Sequence, residues 1–192
     1  MITTKETKKQ RTRKKIMHEA KKLFEKYGME NVTFSQIAQE SQICRTTVFN
    51  HFATSSELML AIYEQEIEDI RQYCLDAGLE GVPLIRGLFD KLIEDTSYYP
   101  ALTTQLTNHA ILSDEGEKSI ILIEKMVEEN LPDYCAFSQN VDRRTMAILI
   151  IGCYHGLITH YHVNKLPFES EKLKTEFHKM LDALLGNSYE IK

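Results

Sequence analysis

Apolar side chains recur along this chain at the three-and-four spacing of helices, almost from end to end. The first stripe joins Ile16, Ala20, Leu23, Phe24 and Tyr27 and predicts a helix from about Lys8 to Tyr27, with Gly28 placed to stop it. Thr33 followed by Gln36 has capping-box spacing, and Val32 with Ile37 would supply a hydrophobic staple, so a short helix is expected from Phe34 to Glu40 or Ser41. After a break, Arg45 to about His51 reads as another helix of barely two turns. Thr54 and Glu57 form a second capping box that opens a long helix to about Ala77, striped by Met59, Tyr63, Ile67, Ile70 and Cys74. Beyond Gly81 the pattern loosens. Helices are expected at about 83–96, 101–111, 114–130, 142–163 and 170–185, with Asp114 and Glu117 marking one start. No alternating strand pattern appears, and Pro83, Pro100, Pro132 and Pro167 all fall near expected helix ends. The expected fold class is all-α, with about nine helices.

Two of these helices carry more apolar surface than one face can hide. Met146, Ile148, Leu149, Ile150 and Ile151 cover nearly the whole circumference of the 142–163 segment, which predicts burial on more than one side. The last helix has a long stripe of Leu173, Phe177, Met180, Leu181, Leu184 and Leu185 that needs a partner. Such a pair suits a four-helix interface between two copies of the chain. Gly152 and Gly156, four apart, allow close helix approach. The expected dimer contacts are Leu149, Gly152, Gly156, Phe177, Leu181 and Leu184.

With 192 residues, 43% hydrophobic and 27% charged, the chain has the composition of an ordinary globular protein of one large or two small domains. The longest apolar run, Met146 to Cys153, is short of the roughly 20 residues that span a bilayer. The basic N-terminus has no apolar stretch behind it and is not a secretory signal. Cys44, Cys74, Cys135 and Cys153 lack CxxC spacing and read as reduced thiols of a cytoplasmic protein.

The net charge of −5 conceals an asymmetry. Residues 1–56 hold 11 Lys and Arg against 5 Asp and Glu, a net of +6, whereas residues 57–192 hold 12 against 23, a net of −11. A basic head on an acidic body points to a polyanion partner for the head alone. The short helix in that head has the right chemistry for one. In a helix-turn-helix the second helix enters the major groove of DNA and its early residues meet the base edges. Arg45 suits guanine, Thr46 and Thr47 suit bases, phosphates or a thymine methyl, and Asn50 and His51 suit phosphates. Phe49 offers apolar contact to the sugars, while Val48 and Phe52 would face inward. The stretch Lys8, Lys9, Arg11, Arg13, Lys14 and Lys15 adds phosphate-neutralising charge.

From about Ile16 to Ile62 the chain resembles the DNA-binding region of the TetR family of transcriptional regulators. The resemblance is carried by "AKKLFEKYGMENVTFSQIAQESQICRTTVFNHFATSSELMLAIY". Phe24, Tyr27, Gly28 and Thr33 match the approach to the second helix, and Ile37 and Ala38 its interior. Phe49, Asn50, His51 and Phe52 close the recognition helix, and Glu57 and Leu58 open the fourth. This covers about a quarter of the chain. Three departures stand out. Gln42 occupies a turn position usually held by Gly, where a left-handed backbone would cost it about 1 kcal/mol. Cys44 replaces the usual Ser or Thr cap. Ala53 and Ser55 stand where Lys is common.

The resemblance implies a DNA-binding domain at 1–54, with its helix-turn-helix at 34–51, and a helical effector-binding and dimerisation domain at 55–192. The expected DNA contacts are Thr33, Arg45, Thr46, Thr47, Phe49, Asn50, His51 and Lys14. The partners implied are a near-palindromic DNA operator, a second copy of the chain and a small effector; no membrane partner and no cofactor is expected. Tyr63, Phe89, Tyr98, Tyr99, Leu106, His109, Leu122 and Met126 are candidate pocket liners, an aromatic-rich set suited to a flat or apolar ligand. The function expected is a ligand-responsive regulator, a repressor released from its operator by the effector, and not an enzyme.

The competing expectation is a helical metal protein or metalloenzyme using His155, His160 and His162, in "CYHGLITHYH". Helix geometry disfavours it. His160 and His162 point to nearly opposite faces, and His155 and His162 lie about 10.5 Å apart along the axis. One zinc with bonds of about 2.1 Å does not reach both. HExxH, P-loop, GxSxG and dinucleotide patterns are absent, so no metal site is expected.

Overall fold

The computed structural model describes residues 7–112, 117–132 and 141–186. The expected helix start at Asp114 and the thiol of Cys135 lie outside them. Among the described residues the regular structure is helical throughout. The helices are α1 (Lys8–Tyr27), α2 (Phe34–Glu40), α3 (Arg45–His51), α4 (Ser55–Asp76), α5 (Gly81–Tyr98), α6 (Pro100–Leu112), α7 (Glu117–Asn130), α8 (Arg143–Val163) and α9 (Ser170–Leu185). One 3₁₀ turn, Met29–Asn31, separates α1 from α2.

Local chemistry explains most of the boundaries. Thr7 and Gln10 cap α1 reciprocally, and Thr33 and Gln36 do the same for α2. Gly28 ends α1 at φ 76°, its N–H donating to the Phe24 carbonyl at 2.9 Å. The second expected capping box is only half formed. Thr54 Oγ1 accepts from the Glu57 N–H at 3.1 Å, but the Glu57 carboxylate reaches back one residue further, accepting from the Ala53 N–H at 2.7 Å. That choice ties the end of the α3 turn to the start of α4.

The turn between α2 and α3 is a Schellman motif. Ile43 N–H donates to the Ala38 carbonyl and Gln42 N–H to the Gln39 carbonyl, at 2.9 and 3.1 Å. Gln42 takes the left-handed position at φ 53°, so a side chain stands where glycine is favoured.

Buried side chains form one continuous core from Ile16 in α1 to Leu185 in α9. The α4 stripe of Met59, Tyr63, Ile67, Ile70 and Cys74 is buried as expected. In α9, Leu173, Phe177, Leu181 and Leu185 pack inside the protomer. Arg86 pairs with Asp182, and Lys174 meets Glu94 at 2.7 Å, so polar contacts also hold α9 against α5. α8 behaves differently. Ala147, Ile150, Tyr154, Leu157 and Tyr161 face the core, yet Ile148 and Leu149 remain 52% and 42% exposed. The apolar character of α8 runs past the segment that the sequence suggested. At 21 residues it is long and apolar enough to cross a membrane by length and composition, although one of its faces is packed against α7 and α9.

Replacing Gln42 by Gly relieves the left-handed strain and is expected to raise the unfolding free energy by about 0.5–1 kcal/mol. Urea unfolding of the two proteins side by side checks this, and an unchanged midpoint contradicts it.

Candidate nucleic-acid interface and ligand cavity

The head presents α3 to solvent. Val48 and Phe52 are fully buried and anchor it, as expected of its inner face. Arg45, Thr46 and Asn50 are exposed along the outer side; Thr33 and Lys14 are also exposed, Lys14 on the side of α1 that borders α4. Thr47 is half-buried and shares a 2.9 Å hydrogen bond with Cys44 Sγ. That bond holds the Cys44 thiol below its ordinary pKa, and Cys44 provides no side-chain cap to the helix. Thr33 is committed to its capping box, so only its outer edge is open to a ligand.

Two residues depart from their expected roles. Phe49 lies 4.9 Å from the Phe34 ring, and the Arg45 guanidinium sits 5.2 Å above it. It supports Arg45 more than it offers a bare apolar surface. His51 is half-buried rather than exposed, with its Nδ1 shielded and unbonded. Burial pushes its imidazole down, helped by the charges of Lys9 and Arg13.

The basic stretch divides its labour. Lys8, Arg11 and Lys15 border a surface groove together with Ile43 of the turn, which brings their charge beside α3. Arg13 turns inward. Its Nη1 donates to the His51 carbonyl at 3.0 Å and its guanidinium covers the Phe52 ring at 4.2 Å. It therefore clamps the C-terminal end of α3, where the helix dipole favours a cation. In sequence it looks like one more phosphate contact among its neighbours.

In the body, α4, α5, α6, α7 and α8 enclose a cavity of about 250 Å³. Tyr63, Phe89 and Leu106 line it, as expected. Five other candidates do not. Tyr98 is 75% exposed, and Tyr99 packs at the α5–α6 junction with Lys21 Nζ 4.9 Å from its ring. Leu122 and Met126 pack against the core, because Ile120 and Ile123 are the α7 side chains turned to the cavity. His109 is half-buried outside the lining.

The polar lining is what sequence reasoning missed: Glu66, Asp95, Thr96, Thr103, Thr107, Tyr154 and His155. Thr96 and Tyr154 hydroxyls bond each other at 2.8 Å. Burial pushes Tyr63 up to about 12, raises Tyr154 further and lowers His155, so all three are uncharged at neutral pH. His155 lines the cavity, while His160 and His162 are exposed. Among the described residues no group of three His, Cys, Asp or Glu side chains is placed to hold a metal.

Head and body meet through α1. Lys21 reaches Glu66 of α4 at 2.6 Å. Glu25 accepts from the Leu102 N–H at 2.8 Å and from the Ala101 N–H at 3.5 Å. These are orphan donors at the start of α6, whose first residue, Pro100, has none.

The dimer contacts expected in α9 need correction. Phe177 and Leu181 are 0% and 1% exposed, and the Phe177 ring lies 4.6 Å from that of Phe89 within the same protomer. Leu184 is half-buried and Met180 exposed. On α8, Leu149, Gly152 and Gly156 share the exposed face with Ile148, and a methyl group at either glycine would meet nothing within 4 Å.

Comparison with known proteins bears on the head first. Residues 16–62 match the family described as "Bacterial regulatory proteins, tetR family". A protein of Escherichia coli (strain K12), described as a probable repressor of the acrEF/envCD operon, is 24% identical over 179 residues, covering 84% of this chain and 81% of its own. A TetR transcription regulator from Haloarcula marismortui superposes with a TM-score of 0.70 at 16% identity, over 91% of this chain and 98% of that one. SmeT in complex with triclosan gives a TM-score of 0.67 at 16% identity, over 95% of each chain.

The clamp by Arg13 is open to a direct test. Arg13→Ala is expected to lower the unfolding free energy by about 1–3 kcal/mol, through the lost charged hydrogen bond and ring contact. Lys15→Ala, on the open side of α1, is expected to stay within about 0.5 kcal/mol of the parent protein. Equal losses in chemical denaturation would remove the distinction.

Proposed function

The chain belongs to the TetR family of transcriptional regulators, and from that premise we propose that it is a homodimeric repressor, released from its operator when a small molecule fills the cavity of the body. The observation that carries this reading is that α4 forms a wall of the cavity and also packs on α1 of the head. Residues 1–54 bind DNA, and residues 55–192 bind the effector and pair the subunits. The E. coli relative's description as an operon repressor and SmeT's complex with triclosan support the two halves of the proposal. The protein works in the cytoplasm, where its operator is.

Arg45, Thr46 and Thr47 lead α3 into the major groove and meet base edges, with Asn50 and Lys14 toward phosphates. Thr33 and Phe49 hold α2 and α3 in place for that contact. The two heads of the dimer read half-sites about one helical turn apart. The subunits pair through the exposed face of α8, with Leu184 and Met180 of α9 at its side. Glycine within a helix costs about 1 kcal/mol relative to alanine, and among the described residues no contact inside the protomer requires Gly152 or Gly156. A second helix lying close across them supplies the reason.

Effector binding favours a dimer shape in which the two heads no longer fit successive grooves. That is a shift of population set by the effector's differential affinity for the two shapes.

The test begins with a duplex selected by the protein from a random-sequence pool. Arg45→Ala is expected to cost about 1–3 kcal/mol on that duplex and much less on unrelated DNA. Lys14→Ala is expected to weaken both alike and to flatten the salt dependence. No salt-sensitive binding to any duplex would sink the reading. Separately, Leu149→Glu is expected to leave the helical circular dichroism intact while sedimentation shows a monomer; a persistent dimer would place the interface elsewhere.

A further inference from the structure

The charge inside the cavity is of one sign. Among the described residues its lining is mostly aliphatic and aromatic, and the side chains in it able to carry charge are Glu66, Asp95 and His155, with no described Lys or Arg among them. His155 is held neutral by burial. Carboxylates in an apolar cavity are costly unless paired. Each here has a lysine partner that is not part of the lining. Lys21 Nζ meets Glu66 Oε1 at 2.6 Å, and Lys91 Nζ meets Asp95 Oδ1 at 3.1 Å. The pairing of Glu66 does not offset its burial in full, since its carboxyl still lies above the ordinary carboxylate range.

Glu66 also borders a second space. With Lys14, Met17, His18, Lys21, Ile62 and Gln65 it lines a crevice between α1 and α4. One carboxylate therefore stands in the wall between the cavity and the joint to the head.

We propose that the cavity takes a small lipophilic cation, whose positive charge settles against Glu66 with Asp95 nearby and competes with Lys21 for that carboxylate. The proposal rests on the ligand-responsive reading above and names the class of ligand. The cation's apolar body fills the space among Tyr63, Ile67, Phe89, Leu106 and Ile123, where the aromatic faces add attraction. An anion of the same size meets two like charges instead. As the ligand's charge takes over Glu66, Lys21 loses the carboxylate that binds α1 to α4. The Glu25 cap on α6 remains as the nearby polar link, and α1 is then free to turn about it. Lys21 itself retains the Tyr99 face, 4.9 Å away, as a place to rest.

A matched series tests this: decyltrimethylammonium, decanol and decanoate, which share one chain and differ in charge. Isothermal titration is expected to show the cation bound about tenfold or more tighter than decanol, with decanoate weakest. In Glu66→Gln that preference is expected to collapse while decanol still binds. Lys21→Met is expected to hold the selected duplex more weakly without any ligand, and to lose most of its response to the cation. A cation bound no better than decanol by the unmodified protein overturns the proposal, whatever becomes of the variants. If decanol releases the duplex as well as the cation does, the charge assignment falls and the ligand-responsive reading stands. If none of the three binds, the assignment falls as well, and binding of the duplex still judges the regulator reading on its own.

Discussion

α4 belongs to two packings at once, and the rest of the molecule is arranged around that fact. On one side Ile62 and Gln65 face the crevice against α1, and on the other Tyr63, Ile67 and Ile70 face the cavity. A helix of 22 residues with one continuous core along it moves as a unit. Interiors packed at crystal-like density transmit displacement rather than absorb it. A displacement of the cavity wall formed by α4 would therefore carry into the surface where the head sits.

The same economy appears in the head. α2 and α3 are only 7 residues each and have little stability of their own. They are held by their neighbours: Arg13 closes the end of α3, Glu57 fastens the chain between α3 and α4, and Phe34 and Phe49 brace the two short helices against each other. The exposed side chains of α3 are thus presented by a frame that lies largely outside it. Gln42 runs against this economy, with a strained backbone in the tightest turn of the head.

Much of this was legible in the sequence because it is written in local spacing. Thr33 with Gln36, Gly28 after Tyr27, and the α4 stripe are patterns within a few residues of one another. The boundaries of α1, α2 and α3 fall where those patterns put them. The cavity was half legible. Phe89 and Leu106 are apolar residues on helices that had to pack together, but Glu66 and Asp95 come from different helices 29 positions apart, and each looks like an ordinary solvated carboxylate in its own helix. Phe177 and Leu181 show the converse error. Their stripe was read correctly as needing a partner, but periodicity does not say which partner, and α5 of the same protomer takes them. Arg13 was hidden among like residues, since only the packing of α1 on α3 separates a clamp from a phosphate contact.

The Glu25 cap bears on whether the two halves could ever have been separate. A helix ordinarily finds its first acceptor within a residue or two of its own start. α6 finds it 77 positions earlier in the chain, in a side chain belonging to the other functional half. Cutting the polypeptide near residue 54 would leave one fragment with an idle carboxylate and the other with a helix that has lost its beginning. The proposed boundary between a DNA-binding and a ligand-binding part thus runs through a shared helix cap, and any exchange of heads between relatives would have to bring along an acid at this place in α1.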